Sequence, residues 1–393
     1  MKSWQFNTRW LLSSQFAARV LGLVNNVLLA RLLAPASYGD FTQAMAIAGS
    51  LAPLADMGVS AIITRHVARR PRASAVLSAA IGLRMMQGFL LWGMAVLGAW
   101  WIYNAPSLGL ALALAGAYWA VACIHQLLAG VARARLQAHI ETRAVVLERV
   151  TTVLLAAGGA LWLGLGGALL GVLAGGTLAL IFYLRHLPLP RARAHLLIWK
   201  LLLAFGVPLA IGDVCHGLIM RVDILAVGIR YGSQSVGWYG SASTLLWASN
   251  LVAGSMSLAM IPVAASQGER AHGVASRVLR WMLTVAVLLA VVLSGGAEFW
   301  VSLLYGAEYA PASDALRVLA WCLVPASVVA WGNAMLLVRG RTTWVGVVAA
   351  GGLACLLLCL WWWLPHGLSG AGYAQLVTQC GMAGWLWWLT RKE

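Results

Sequence analysis

Apolar runs of about 20 residues or more recur along the whole chain, and nothing constrains its fold more strongly. The hydrocarbon interior of a bilayer accepts only helices and closed barrels, because every backbone N–H and C=O must be satisfied within the protein. A barrel strand needs about 10 residues and alternates apolar with polar side chains. These runs are twice as long and do not alternate, so they read as helices. Of the 393 residues, 62% are hydrophobic and 10% charged, where globular chains average roughly 25% charged. Such a chain cannot clothe a soluble surface of this size, and it reads as an all-α polytopic membrane protein.

Windows bounded by charge, glycine or proline give twelve transmembrane helices, at 10–33, 41–64, 76–102, 107–131, 144–163, 168–186, 201–230, 237–265, 278–304, 312–338, 344–364 and 368–390. The boundary between the fifth and sixth is the hardest to place, because residues 158–176 are dense in glycine. Residues 1–33 are too long and too polar, with Arg19, Asn25 and Asn26, for a secretory signal, and read as an uncleaved first span.

Charge tests the count independently. Arg65, Arg69, Arg70 and Arg72 follow span two, Arg133, Arg135 and Arg143 follow span four, and Arg185, Arg191, Arg193 and Lys200 follow span six. Arg270, Arg277 and Arg280 follow span eight, and Arg339 and Arg341 follow span ten. Every second loop is basic, which places both termini in the cytoplasm. The net charge of +16 therefore arises from cytoplasmic loops, and no nucleic-acid motif accompanies it. Trp100, Trp101, Trp361 to Trp363, Trp385, Trp387 and Trp388 sit at span ends, where indoles favour the headgroup region. The six cysteines lie in apolar runs without C-x-x-C or ligand spacing, so packing is their expected role and no metal or cofactor is read.

The chain divides into an N-lobe (1–185, spans one to six), a linker (186–200, HLPLPRARAHLLIWK) and a C-lobe (201–393, spans seven to twelve). PASYGDFTQA (35–44) is echoed by SQSVGWYGSA (233–242), with Ser37/Ser235, Gly39/Gly237 and Ala44/Ala242 identical. Six spans separate the two segments, so the lobes are parallel repeats. Transporters built that way bind substrate between the lobes and rock them.

Polar residues inside the spans point to a cavity. Gln15, Arg19, Gly22 and Asn26 fall on one face of span one at about 100° per residue. An arginine facing lipid at mid-depth costs about 2.5–3.5 kcal/mol or more, so this face must meet protein or water. Span two carries Asp56, span three Arg84 and Gln87, span four His125, span seven Asp213, His216, Arg221 and Asp223, and span eight Asn250. A helix–helix hydrogen-bond seam would also explain such a stripe. A cavity explains why the load falls on the opening helices of each half.

Taken together, ARLLAPASYGDFTQA (30–44), LADMGVSAIITRHVAR (54–69), VDILAVGIRYGSQSVGWYGSA (222–242) and YGAEYAPASDALRVLAW (305–321) resemble the oligosaccharide flippases, the Wzx-like branch of the multidrug/oligosaccharidyl-lipid/polysaccharide exporter superfamily. The resemblance implies alternating access by two six-helix lobes, MATE/Wzx-like, in the bacterial cytoplasmic (inner) membrane. It implies an undecaprenyl-diphosphate-linked oligosaccharide as substrate, moved outward for polysaccharide or O-antigen biosynthesis. Membrane lipids are then its surroundings, and a polysaccharide polymerase and glycosyltransferases its expected partners. On that reading Arg19, Arg84 and Arg221 bind the diphosphate, and Gln15, Asn26, Gln87 and Asn250 bind sugar hydroxyls. Asp56, Asp213 or Asp223 would carry a coupling proton or sodium ion. A drug/cation antiporter of the same superfamily is the rival, and it would favour a carboxylate-rich cavity without arginine. A polytopic enzyme is disfavoured because no loop exceeds the 186–200 linker and none holds a catalytic carboxylate pair.

Overall fold

The computed structural model describes residues 2–70, 74–101, 106–191, 193, 195–250 and 271–391, with the side chains of the first helix described from Phe16 onward. Among these residues there is no β-strand. The helices are α1 (Lys2–Leu32), α2 (Pro35–Asp56), α3 (Val59–Arg69), α4 (Ser74–Trp101), α5 (Pro106–Ala134), α6 (Ala138–His186) and α7 (Leu196–Ile219). They continue as α8 (Val222–Ser249), α9 (Ala271–Gly295), α10 (Ala297–Tyr305), α11 (Ala312–Leu319), α12 (Leu323–Val338), α13 (Thr342–Trp363) and α14 (Leu368–Arg391). Among the described residues six helices, with α11 and α12 taken as one, are long and apolar enough to cross a membrane, and two bent pairs raise the number to eight. One of the six is α6, which is two spans.

At about 1.5 Å per residue, a straight helix of α6's length would run more than twice the thickness of a bilayer core. Its 49 residues instead fold back at Gly164, whose φ of 58° and ψ of −135° are not helical. The two legs press together through glycine. A Cβ on Gly159 would lie 2.2 Å from the Gly167 carbonyl oxygen, one on Gly171 2.3 Å from the Ala156 nitrogen, and one on Gly175 2.2 Å from the Thr152 hydroxyl. Lipid gives no hydrophobic reward for helix association, so close backbone approach through small residues supplies the contact. The glycines that blur the span boundary in the sequence thus build the hairpin. Gly232 (φ 79°, ψ 179°) makes a second such reversal inside α8. Counting the legs separately and joining α2 with α3, α7 with the first leg of α8, α9 with α10, and α11 with α12, the described residues form twelve rods.

Two breaks were not legible beforehand. Span two bends by 48° between α2 and α3, at Met57 and Gly58, which both have positive φ (45° and 72°). Pro53, in the last turn of α2, cannot donate a backbone hydrogen bond, and its carbonyl accepts the Met57 N–H at 3.2 Å. Gly58 admits no side chain, since a Cβ there would stand 2.5 Å from the Gly206 carbonyl oxygen. Span seven, expected as one helix over 201–230, is interrupted at Met220–Arg221, so helical angles cannot be carried from Asp213 across to Asp223.

By internal contacts the chain forms two compact units, Met1–Gly217 and Leu218–Glu393. In the first, Val59, Ile63, Leu77, Leu83, Leu127 and Val131 make a core that also takes Leu202 of α7. Trp199 Nε1 donates to the Ala79 carbonyl at 2.8 Å, and the Arg193 N–H to the Ser78 carbonyl at 3.3 Å. The end of the linker and the start of α7 are therefore fastened to the first unit. In the second, Ala275, Leu279, Met282, Trp331 and Met335 pack together, and Trp331 Nε1 donates to the Ala275 carbonyl at 3.1 Å. The echoed residues are similarly placed within their own units: Ala44 and Ala242 are both fully buried, and Gly39 and Gly237 are both buried.

Replacing Gly171 by leucine should drive a side chain into the facing leg of α6, at a cost on the order of 1–3 kcal/mol or more. Gly158→Leu, on the same helix but with nothing within 4 Å of its Cβ position, should leave thermal stability in detergent unchanged. Size-exclusion yield after heating measures both.

Candidate functional site

The break in span two assembles a polar cluster in the first unit. Because α2 stops at Asp56, the carbonyl of Ala55 is left without a helical partner. Arg84 of α4, fully buried, takes it at 3.4 Å through Nη1. The same Nη1 lies 3.0 Å from Asp56 Oδ1 and 3.3 Å from Gln87 Oε1, while Nε and Nη2 both donate to the Cys123 carbonyl at 3.1 and 2.8 Å. Asp56 Oδ1 also accepts the Ser60 hydroxyl at 2.6 Å. A charge pair removed from water survives only when hydrogen bonds complete it, as they do here. Asp213 on α7 is exposed. Gly217 on the same helix lies against the Pro53 ring, 3.0 Å from a built Cβ. Three of the residues expected at the site, Arg84, Gln87 and Asp56, are thus brought together, with Arg84 wholly engaged by protein.

Arg19 is placed differently. It is exposed on α1 and makes no hydrogen bond or ion pair among the described residues. Asn26, two turns on, donates through Nδ2 to the Gly22 carbonyl at 2.9 Å and accepts the Tyr38 hydroxyl at 3.4 Å. The side chain of Gln15 lies outside the described residues.

In the second unit Arg221 is half-buried at the start of α8, where the chain turns between α7 and α8. Asp223, buried in the first turn of α8, accepts the Ile224 N–H at 2.8 Å and the Tyr239 hydroxyl at 2.8 Å. A carboxylate is favoured at a helix N-terminus, where N–H groups lack partners. Asn250 ends the described part of α8, beside a small cavity shared with Ser249, Met282, Ala286, Leu323 and Ser327. Its Oδ1 is buried without a partner among the described residues. Asp213, Arg221, Asp223 and Asn250 are not one constellation within a unit. No group of three or more His, Cys, Asp or Glu side chains suited to a metal occurs among the described residues.

Three buried carboxylates escaped the sequence expectations, and one of them, Glu141 on α6, lies 3.4 Å from Arg133 Nε. Glu148 on α6 sits 3.3 Å from His125 Nδ1 and accepts the Tyr118 hydroxyl at 3.2 Å. Asp40 on α2 accepts the Ser107 hydroxyl at 2.9 Å. Glu148 lies inside an apolar window, as Asp56 does, and that same signal was available for it.

The chain matches, over residues 6–267, a family model described as polysaccharide biosynthesis protein. No curated protein sequence matches it. Solved structures match its fold. A multidrug resistance MATE family transporter of the MOP superfamily, in its inward-facing conformation, has a TM-score of 0.73 at 15% identity, over 95% of this chain and 94% of that one. The outward-facing conformation of such a transporter gives 0.66 at 16% identity, over 98% and 94%. The lipid II flippase MurJ, in an inward closed conformation, gives 0.74 at 15% identity, over 97% and 87%. Identities this low show the fold alone, and it is the all-α, two-lobed MATE/Wzx-like architecture expected from the sequence. The family model spans well over half of the sequence, and the chain belongs to the polysaccharide biosynthesis protein family.

Proposed function

We propose that the protein is a transporter that flips an undecaprenyl-diphosphate-linked oligosaccharide from the cytoplasmic to the outer leaflet of the bacterial cytoplasmic membrane by alternating access. Family membership supplies the polysaccharide context, and the fold is shared with a lipid II flippase and with multidrug transporters. The observation that carries the substrate class is Arg19: a guanidinium on a spanning helix, exposed and without a protein partner among the described residues. In hydrocarbon such a group is costly, and in a wet cavity it is a bidentate phosphate binder. Arg19 and Arg221 are assigned to the diphosphate, and Asn26 and Asn250 to sugar hydroxyls, with the prenyl tail left in lipid. Arg84 and Gln87 act through Asp56, by holding the bend of span two. A proton or sodium gradient drives the return step. Glycosyltransferases would supply the substrate and a polymerase would consume the product.

Arg19→Ala should reduce translocation of the lipid-linked sugar by roughly tenfold to a hundredfold, the worth of one or two charge-assisted hydrogen bonds, with membrane expression near normal. A leaflet-accessibility assay in proteoliposomes reads this. Organic-cation efflux that survives Arg19→Ala and is lost in Asp56→Asn would contradict the substrate assignment.

Arg84→Gln should instead strand Asp56 as an unpaired charge, costing about 3–5 kcal/mol, and deplete folded protein from the membrane. Adding Asp56→Asn should restore much of the yield. A double-mutant cycle on thermal stability measures the coupling, and additive losses would show that the pair does not hold the bend.

A further inference from the structure

Within the first unit, the buried and half-buried carboxylates fall into three kinds by partner. Asp56 is held by Arg84 at 3.0 Å and Glu141 by Arg133 at 3.4 Å, cations whose charge never varies at cellular pH. Asp40 is held by a hydroxyl. Glu148 is held by His125, whose Nδ1 lies 3.3 Å from Oε2, and by the Tyr118 hydroxyl on Oε1. Histidine is the side chain whose charge changes in the physiological range. The charge of this pair is therefore set by one proton, and no fixed cation contacts it.

Two other polar groups border the pair. Tyr183, fully buried, has its ring 5.1 Å from the His125 ring, and its hydroxyl has no partner among the described residues. Arg149, the residue after Glu148, has a buried Nε without a partner and forms no ion pair among the described residues. Glu141 and Arg133 lie further along, toward the α5–α6 loop, and form an ion pair of their own at 3.4 Å, with Glu141 Oε2 left without a hydrogen bond among the described residues. Helices α1 to α4 also pack on α5 or α6, and none brings a charged group within ion-pair distance of Glu148 or His125 among the described residues; Arg84 of α4, which reaches the Cys123 carbonyl on α5, is paired with Asp56. His125 retains 13% side-chain exposure. The pair joins α5 to the first leg of α6, and the Tyr118 ring rests against Gly176 on the second leg, 3.1 Å from a built Cβ. A change of charge here acts on both legs of the hairpin.

We propose that His125 and Glu148 form a proton-binding site that takes up one proton in one part of the transport cycle and gives it back to water in another. The proposal rests on the transport reading above and concerns what drives it. Loading makes one N–H or O–H bond and unloading breaks it, with the proton drawn from and returned to the aqueous phases. With the proton bound, the buried carboxylate is neutralised and α5 is held to the hairpin. Without it, Glu148 is left as a buried anion with neutral donors, a state that favours rearrangement or hydration.

The test uses the full chain and Glu148→Gln, which keeps the size of the side chain and its acceptor for Tyr118. In proteoliposomes with a fluorescent undecaprenyl-diphosphate-linked disaccharide, a pH difference of one unit should shift the leaflet ratio by about tenfold if one proton moves per lipid. Glu148→Gln should abolish that shift, retain equilibration without a gradient, and melt as the wild type does. Gradient-driven transport that persists in the variant, or that follows sodium alone, overturns the proposal. A second arm needs no substrate: the His125 imidazole, followed by nitrogen NMR in nanodiscs, should titrate at lower pH in Glu148→Gln, because the carboxylate favours the imidazolium. A midpoint unmoved by the substitution overturns the proposal. If the wild type moves no lipid-linked sugar, the transport reading fails while the titration still judges the site. His125→Gln should likewise lose the driven shift.

Discussion

A charge inside a bilayer must be matched by another charge, satisfied by hydrogen bonds or reached by water, and much of this structure follows from how each case is met. Arg84 and Asp56 meet it by pairing, with the guanidinium fully occupied by one carboxylate, one amide and two backbone carbonyls. That solution needs a helix break, since an unbroken α2 would keep the Ala55 carbonyl for itself. The break in turn needs Gly58, because the backbone of α7 passes where a side chain would stand. Charge, bend and glycine contact are one arrangement.

Arg19 is the opposite case. It sits on a spanning helix with no protein partner among the described residues, which is stable only where water or an anionic ligand reaches it. The two arginines differ in that one holds the scaffold and the other, without a protein partner among the described residues, is the one the proposed function gives to phosphate. Such division suits a carrier of a charged headgroup on a lipid tail. The headgroup needs a wet path with donors, and the tail needs none.

Much of the architecture was legible in the sequence because bilayer thickness fixes element length. The apolar windows and alternating basic loops mark the spans, and the fifth and sixth windows end and begin on either side of the Gly164 reversal. What could not be read was pairing across helices. Nothing local in Arg84 reveals that Asp56 is its partner, since the contact depends on a 48° bend produced by Met57 and Gly58 adopting positive φ. The expectation of span seven as one helix over 201–230 failed for a related reason, because the chain turns at Met220–Arg221. Glu148 was visible as a carboxylate in an apolar run, but its significance comes from His125 on a neighbouring helix. The attachment of the start of α7 to the first unit, through Trp199 and Leu202, likewise depends on contacts distant in sequence.

Whether water reaches position 19 decides between a wet cavity and a lipid-facing helix. In a background without native cysteines, Arg19→Cys should react with a membrane-impermeant thiol reagent, and bound lipid-linked sugar should slow that reaction. A thiol at 19 that stays unreactive toward aqueous reagents in every conformation trapped, while reacting with lipid-soluble ones, would mean that this face of α1 meets hydrocarbon and that no wet cavity receives the headgroup there.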